Sequence, residues 1–121
     1  MKYLLIISLL ASLAFSQNLF ISEYIEGSSY NKVVEIYNPS GSTVNLIGYK
    51  LWRAQNGANW NYSLDLESYS ISSEDVLVIC HTSIGDEYSA LCDIIDSITN
   101  FNGNDAVGLF YNETLIDAIG V

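Results

Sequence analysis

Apolar side chains recur at every second position in this chain, in short runs separated by turn residues about every ten positions, from residue 19 to residue 119. Successive residues of an extended strand point to opposite faces, so this spacing selects strands with one buried face and offers no helix of useful length. The clearest run is Trp60-Asn61-Tyr62-Ser63-Leu64-Asp65-Leu66, which is expected to carry its aromatic and aliphatic side chains on one face and its polar ones on the other. Val76-Leu77-Val78-Ile79-Cys80 is apolar on both faces, the pattern of a central strand covered from two sides. Further strands are expected at Leu19 to Ile25, Lys32 to Tyr37, Val44 to Leu46, Tyr49 to Ala54, Ala106 to Tyr111 and Thr114 to Ile119, with Asp93 to Ile98 half extended. Proline and glycine in Asn38-Pro39-Ser40-Gly41 set a turn. Asn56-Gly57 predicts a tight hairpin, and Asn112-Glu113 another reversal. Thr82 to Cys92 is the longest irregular stretch, with a single helical turn expected between Asp86 and Leu91. Eight or nine strands in about 105 residues make an all-β chain, an immunoglobulin-like β-sandwich.

The first 16 residues obey a different rule. Met1-Lys2 is a positive start, Tyr3 to Leu13 is apolar apart from Ser8 and Ser12, and Ala14-Phe15-Ser16 puts small residues at -3 and -1 of a cleavage point. This is the pattern of a secretory signal peptide, 1-16, followed by one domain, 17-121. The apolar run falls well short of the roughly 20 residues a bilayer crossing needs, so no membrane span is expected. Export makes the protein extracellular and places Cys80 and Cys92 in an oxidising compartment, where a disulfide between them is expected. It also gives meaning to two sequons, Asn61-Tyr62-Ser63 and Asn112-Glu113-Thr114, as glycosylation acceptors in a host that glycosylates; proline blocks Asn38-Pro39-Ser40.

Charge narrows the partners. The chain holds 14 acids against 4 bases. Removing Lys2 with the leader leaves Lys32, Lys50 and Arg53 against those 14 carboxylates, a formal charge of -11. Nucleic acid is disfavoured, because a polyanion is repelled and no basic cluster reverses the field locally.

The catalytic inventory is thin. There is one histidine, and no Cys-x-x-Cys, His-Glu-x-x-His, Gly-x-Ser-x-Gly or phosphate-binding glycine loop. Cys80 and His81 are neighbours on a strand and point to opposite faces, so they form no thiol-base dyad, and His81 reads as a rim or loop residue. Glu23 and Glu35 lie on adjacent strands, where a cross-strand pair would serve as acid and base or hold a metal; chance proximity is the stronger reading among so many acids. Asn102-Gly103-Asn104-Asp105 reads as a turn, lacking the alternate acids and closing glutamate of a calcium loop. No cofactor is expected, with weak calcium binding left open at Asp93 and Asp96 or Glu74 and Asp75. Trp52, Trp60, Tyr62 and Tyr69 are core packing in the first reading and a sugar- or peptide-stacking face in the second.

The ordered motifs Leu19-Phe20-Ile21-Ser22-Glu23-Tyr24-Ile25-Glu26-Gly27, Val34-Glu35-Ile36-Tyr37-Asn38, Leu46-Ile47-Gly48-Tyr49-Lys50-Leu51, Val76-Leu77-Val78-Ile79, Phe101-Asn102-Gly103-Asn104-Asp105-Ala106-Val107-Gly108-Leu109 and Ile116-Asp117-Ala118-Ile119-Gly120 resemble the lamin tail domain family in its secreted form. The resemblance covers nearly all of residues 19 to 120. It implies an immunoglobulin-like sandwich, an interaction module in nuclear lamins, and a binding or targeting accessory beside hydrolases in secreted microbial proteins. It carries over no catalytic residue. Such domains usually continue past the Ile-Asp-x-Ile-Gly segment, so a closing strand is expected to be missing, with Asp117 in a structural role beside an edge open to strand association. The function expected is a secreted, non-catalytic binding, adhesion or targeting module whose partner is an extracellular protein or polysaccharide. The alternative is the leading accessory domain of a longer secreted hydrolase, a nuclease or phosphoesterase.

Overall fold

The computed structural model describes residues 18–120; the expected signal peptide lies outside the described residues. Ten strands form: β1 (Phe20–Glu26), β2 (Lys32–Tyr37), β3 (Val44–Asn45), β4 (Tyr49–Ala54), β5 (Trp60–Asp65), β6 (Ser70–Ile71), β7 (Val76–Cys80), β8 (Ile94–Ile95), β9 (Ala106–Tyr111) and β10 (Thr114–Ile119). A single helical turn, α1 (Asp86–Ser89), falls inside the stretch expected to hold one. The count exceeds the expected eight or nine because β6 is only two residues long, too short for alternation to reveal; its pairing with β3 defines it.

Strands β1-β2-β7-β8 make one four-stranded sheet and β10-β9-β4-β5 the other, an immunoglobulin-like sandwich, with β3-β6 as a small third sheet. All neighbours are antiparallel except β7 and β8. Alternate residues of the two sheets turn inward: Val34 and Ile36 from β2, Leu77 and Ile79 from β7, Leu51 from β4, and Val107 and Leu109 from β9 are all buried in one apolar core. Phe101 and Leu66 complete it from the connecting segments. At one side β1 approaches β10, where the Asp117 carboxylate accepts the Ile21 N–H at 2.7 Å. Asp117 thus has the structural role expected of it.

Three details depart from the sequence reading. Asn56-Gly57 does reverse the chain between antiparallel β4 and β5, with both residues left-handed, but inside a wider loop that pairs Ala54 with Trp60 rather than a two-residue hairpin. The register of β4 and β5 also shifts between Arg53 and Ala54. An extra residue flips everything beyond it to the other face. Trp60 therefore leaves the face of Tyr62 and Leu64 and meets Phe110 edge-on at 5.4 Å on the outer side. Finally, β7 is central in its sheet but not covered from both sides. Its Leu77-Ile79 face enters the core, whereas Val76 and Val78 face outward and stay half-buried.

Candidate functional site

The outward faces of β1, β2 and β7 form the floor of a groove of about 740 Å³. Ile25, Val33, Val76 and Val78 line it, at the positions where a solvated sheet face ordinarily carries polar side chains. One wall is the Thr82–Cys92 loop, which contributes Ile84, Tyr88 and Leu91. Leu91 is 70% exposed and Ile25 42%, so the groove leaves apolar surface open to solvent.

The loop owes its position to the bond between Cys80 at the end of β7 and Cys92, whose Cα atoms are 5.8 Å apart. The Cys92 N–H and Leu91 N–H also close local turns onto Ser89 and Tyr88. Replacing both cysteines by serine is expected to lower stability by about 2 to 3 kcal/mol in the chain-entropy account, since a loop of this size sits just under the 15-residue reference. Urea denaturation of the two proteins measures it. An unchanged midpoint would mean that the loop is held without the bond.

Glu23 and Glu35 also line the groove and stand directly opposite each other across β1 and β2. The Glu35 carboxylate accepts the Ser22 hydroxyl at 2.7 Å, while the Glu23 carboxylate has no hydrogen bond or ion pair among the described residues. Like charges placed opposite across antiparallel strands are destabilising. The cations among the described residues do nothing to relieve them. Lys50 pairs with Asp65 at 3.6 Å, Arg53 with Asp105 at 3.3 Å, and the Lys32 ammonium donates to the Phe101 carbonyl.

The other candidates are absorbed by the fold. Cys80 is oxidised, and His81 is buried, accepting the Ser83 N–H on Nδ1 at 2.9 Å and stacking on Tyr30. Asn102-Gly103-Asn104-Asp105 is a turn closed by the Asp105 N–H on the Asn102 carbonyl, and the Asp105 carboxylate points inward to Arg53. Asp93 accepts the Val78 N–H, Asp96 the Ile98 N–H and Asp75 the Val76 N–H, so each spends a carboxylate oxygen on the backbone. Among the described residues no group of three or more His, Cys, Asp or Glu side chains is disposed to hold a metal ion. The four aromatics do not form one surface. Trp52 and Trp60 pack edge-on against Phe110, Tyr62 covers the Arg53 guanidinium at 4.3 Å, and Tyr69 packs on the core. Gly108 belongs to the same outer patch: a Cβ there would meet the side-chain ends of Leu115 and Phe110 at 2.9 Å, so those side chains would have to shift to admit it. The sequon residues Asn61 and Asn112 are exposed, on β5 and in the β9–β10 turn.

Two tyrosines carry perturbed hydroxyls. Burial pushes the Tyr24 phenol upward, and the neighbouring Glu26 charge, which accepts its hydrogen bond at 3.3 Å, pushes it further. Burial also raises Tyr49, with Tyr111 adding to the effect. In a spectrophotometric titration these two are expected to ionise above the pH at which an unperturbed tyrosine does. Because an unfolded chain loses those protons near pH 10, their contribution to stability is full below that pH and is lost as pH rises through the folded values. A single cooperative tyrosine transition near pH 10 in the folded protein would contradict this.

What the sequence reading missed is the groove itself. Its signal was present in β2 and β7, where Val33, Val76 and Val78 are apolar at positions alternating with the core residues. In β7 alone that pattern reads as two-sided burial. No helix among the described residues is long and apolar enough to cross a membrane. No curated protein is similar enough to count as a match. The profile of the lamin tail domain matches residues 14–121, a span that includes every described strand, the core and the groove, and the chain belongs to that family.

Proposed function

We propose that this protein is a secreted, non-catalytic binding module and that the groove over β1, β2 and β7 is its binding surface. The observation that carries the reading is the uncovered aliphatic floor, Ile25, Val33, Val76 and Val78, beside a wall fixed by a disulfide. A sheet face of that kind contributes to stability only when something covers it. The absence of a nucleophile, base and acid held together supports binding rather than turnover, and the leader-like Met1–Ser16 segment supports secretion. The same reading serves a stand-alone module and the leading domain of a longer secreted hydrolase. Coding sequence past Val121 separates those two, since an immediate stop codon retires the hydrolase version.

The test is photo-crosslinking from the groove in the protein's own culture medium, with a photoreactive residue at Val78 and, as control, at Ser63 on the opposite sheet. Adducts from position 78 and not from 63 are expected. Equal labelling at both positions, or none at 78, would overturn the groove as the binding surface. Phosphoesterase or nuclease activity of the purified secreted protein would overturn the non-catalytic reading, and retention of the uncleaved chain inside the cell the secreted one.

A further inference from the structure

We propose that the groove takes an extended polypeptide segment in which a basic side chain, best an arginine, sits between Glu23 and Glu35 and its aliphatic neighbours lie on the floor. The inference rests on the groove being the binding surface and adds the chemistry of its occupant. Three observations lead to it. The two glutamates face each other at one register position, on the same face as Ile25, Val33 and Val78. None of the three cations among the described residues is spent on them, because Lys32, Lys50 and Arg53 are engaged at the Phe101 carbonyl, Asp65 and Asp105. Fold stability gives no reason for the arrangement, since opposed like charges cost rather than contribute.

A cation for this pair would come from outside the described chain. A guanidinium suits the position because its forked donors reach two carboxylates at once, which a single ammonium does less well. The floor decides the remainder of the ligand. It is aliphatic, with Tyr88 alone as an aromatic at the wall, so it offers no flat ring platform for a sugar. Its acidity excludes a polyanion. A polypeptide with alternating basic and aliphatic side chains meets both requirements: every second residue points to the floor in an extended segment, so apolar contacts and the charge contact fall on the same side.

The experiment uses the purified secreted protein and fluorescein-labelled hexapeptides whose central residue is Arg, Lys, Ala or Glu and whose flanking residues vary among Val, Leu and Phe. Fluorescence anisotropy is expected to rank Arg-centred peptides first and to find the Ala-centred ones about tenfold weaker, with Glu-centred ones not binding. In the E23Q/E35Q double variant the Arg-centred peptides should fall to the level of the Ala-centred ones. That variant should melt no lower than the wild-type protein, since it removes a repulsion, so a loss of binding is not a loss of fold. Equal affinity for Arg- and Ala-centred peptides, lost together in Val78→Lys, would overturn the basic-residue inference while leaving the groove as a binding surface. Failure of every peptide to bind, or binding untouched by Val78→Lys, would overturn the peptide inference, and the crosslinking comparison decides the groove independently.

Discussion

Replacing Asp105 by alanine is expected to destabilise the domain by about 3–5 kcal/mol, the cost of leaving one member of a buried ion pair without its partner. Asp105 and Arg53 are 2% and 4% exposed, and their carboxylate and guanidinium lie 3.3 Å apart. The same carboxylate receives the Asn56 N–H at 2.8 Å and the Asn102 N–H at 3.2 Å, so it ties the β4–β5 loop to the turn before β9. Its removal strands a charge and frees two backbone donors at once. The pair is nonetheless not ideal, because Arg53 Nε is buried with no acceptor and only the Asn100 carbonyl supplements the carboxylate. A double-mutant cycle separates these contributions. Asp105→Asn keeps an oxygen for the Asn56 N–H, and Arg53→Met in that background should cost much less than Arg53→Met alone, because no charge is then left behind. Urea midpoints for the four proteins measure the coupling. Additive effects would show that the two side chains stabilise independently and that the ion pair is incidental.

Asn38→Ala is expected to cost roughly 3 to 4 kcal/mol by exposing several carbonyls to an unsatisfied interior. Asn38 is fully buried just past β2. Its side-chain amide donates to the carbonyls of Ser42, Ile71 and Ser72 at 2.9 to 3.0 Å, and its oxygen accepts both the N–H and the hydroxyl of Ser40. Its backbone pairs with Asp75 and Glu74. One side chain therefore joins the end of β2, the proline turn and the β6–β7 connection. Asn38→Asp offers a sharper comparison, since a carboxylate retains the acceptors for Ser40 but cannot donate to the three carbonyls. It should be at least as harmful as alanine, and thermal unfolding of the three proteins checks the order. A milder loss for Asp than for Ala would mean that the Ser40 contacts dominate.

Much of this architecture is legible in the chain because alternation is a local property. The limits of β2, β4, β7, β9 and β10 coincide with the runs that spell them, and Asn112-Glu113 does turn β9 into β10 through two left-handed residues. What alternation cannot convey is the relation between strands. The inserted residue in β5 is invisible until β4 lies beside it, so Trp60 reads as a face-mate of Tyr62 when it belongs with Trp52 and Phe110. Strand β6, two residues long, exists only through β3. Pattern also does not distinguish an apolar face that is covered from one that waits to be. Val76 and Val78 read as doubly buried because nothing in their own segment says that the Thr82–Cys92 loop covers only one end of that face. Glu23 and Glu35 are identifiable as neighbours from the order of β1 and β2, but their isolation from the cations among the described residues depends on where Lys32, Lys50 and Arg53 each turn.

The internal use of cationic groups has a kinetic consequence. With Arg53 enclosed beside Asp105, Lys50 paired with Asp65 and the Lys32 head turned onto Phe101, little positive charge is left among the described residues to interrupt the outward field of the remaining carboxylates. Such a surface accelerates diffusional encounter with positively charged partners and holds identical copies apart. Both effects act over about 10 Å at 0.1 M salt and shrink as ionic strength rises. For the basic partner proposed above, the speed of encounter is therefore expected to follow the salinity of the surroundings, with the aliphatic floor adding a salt-insensitive part to the lifetime of the complex.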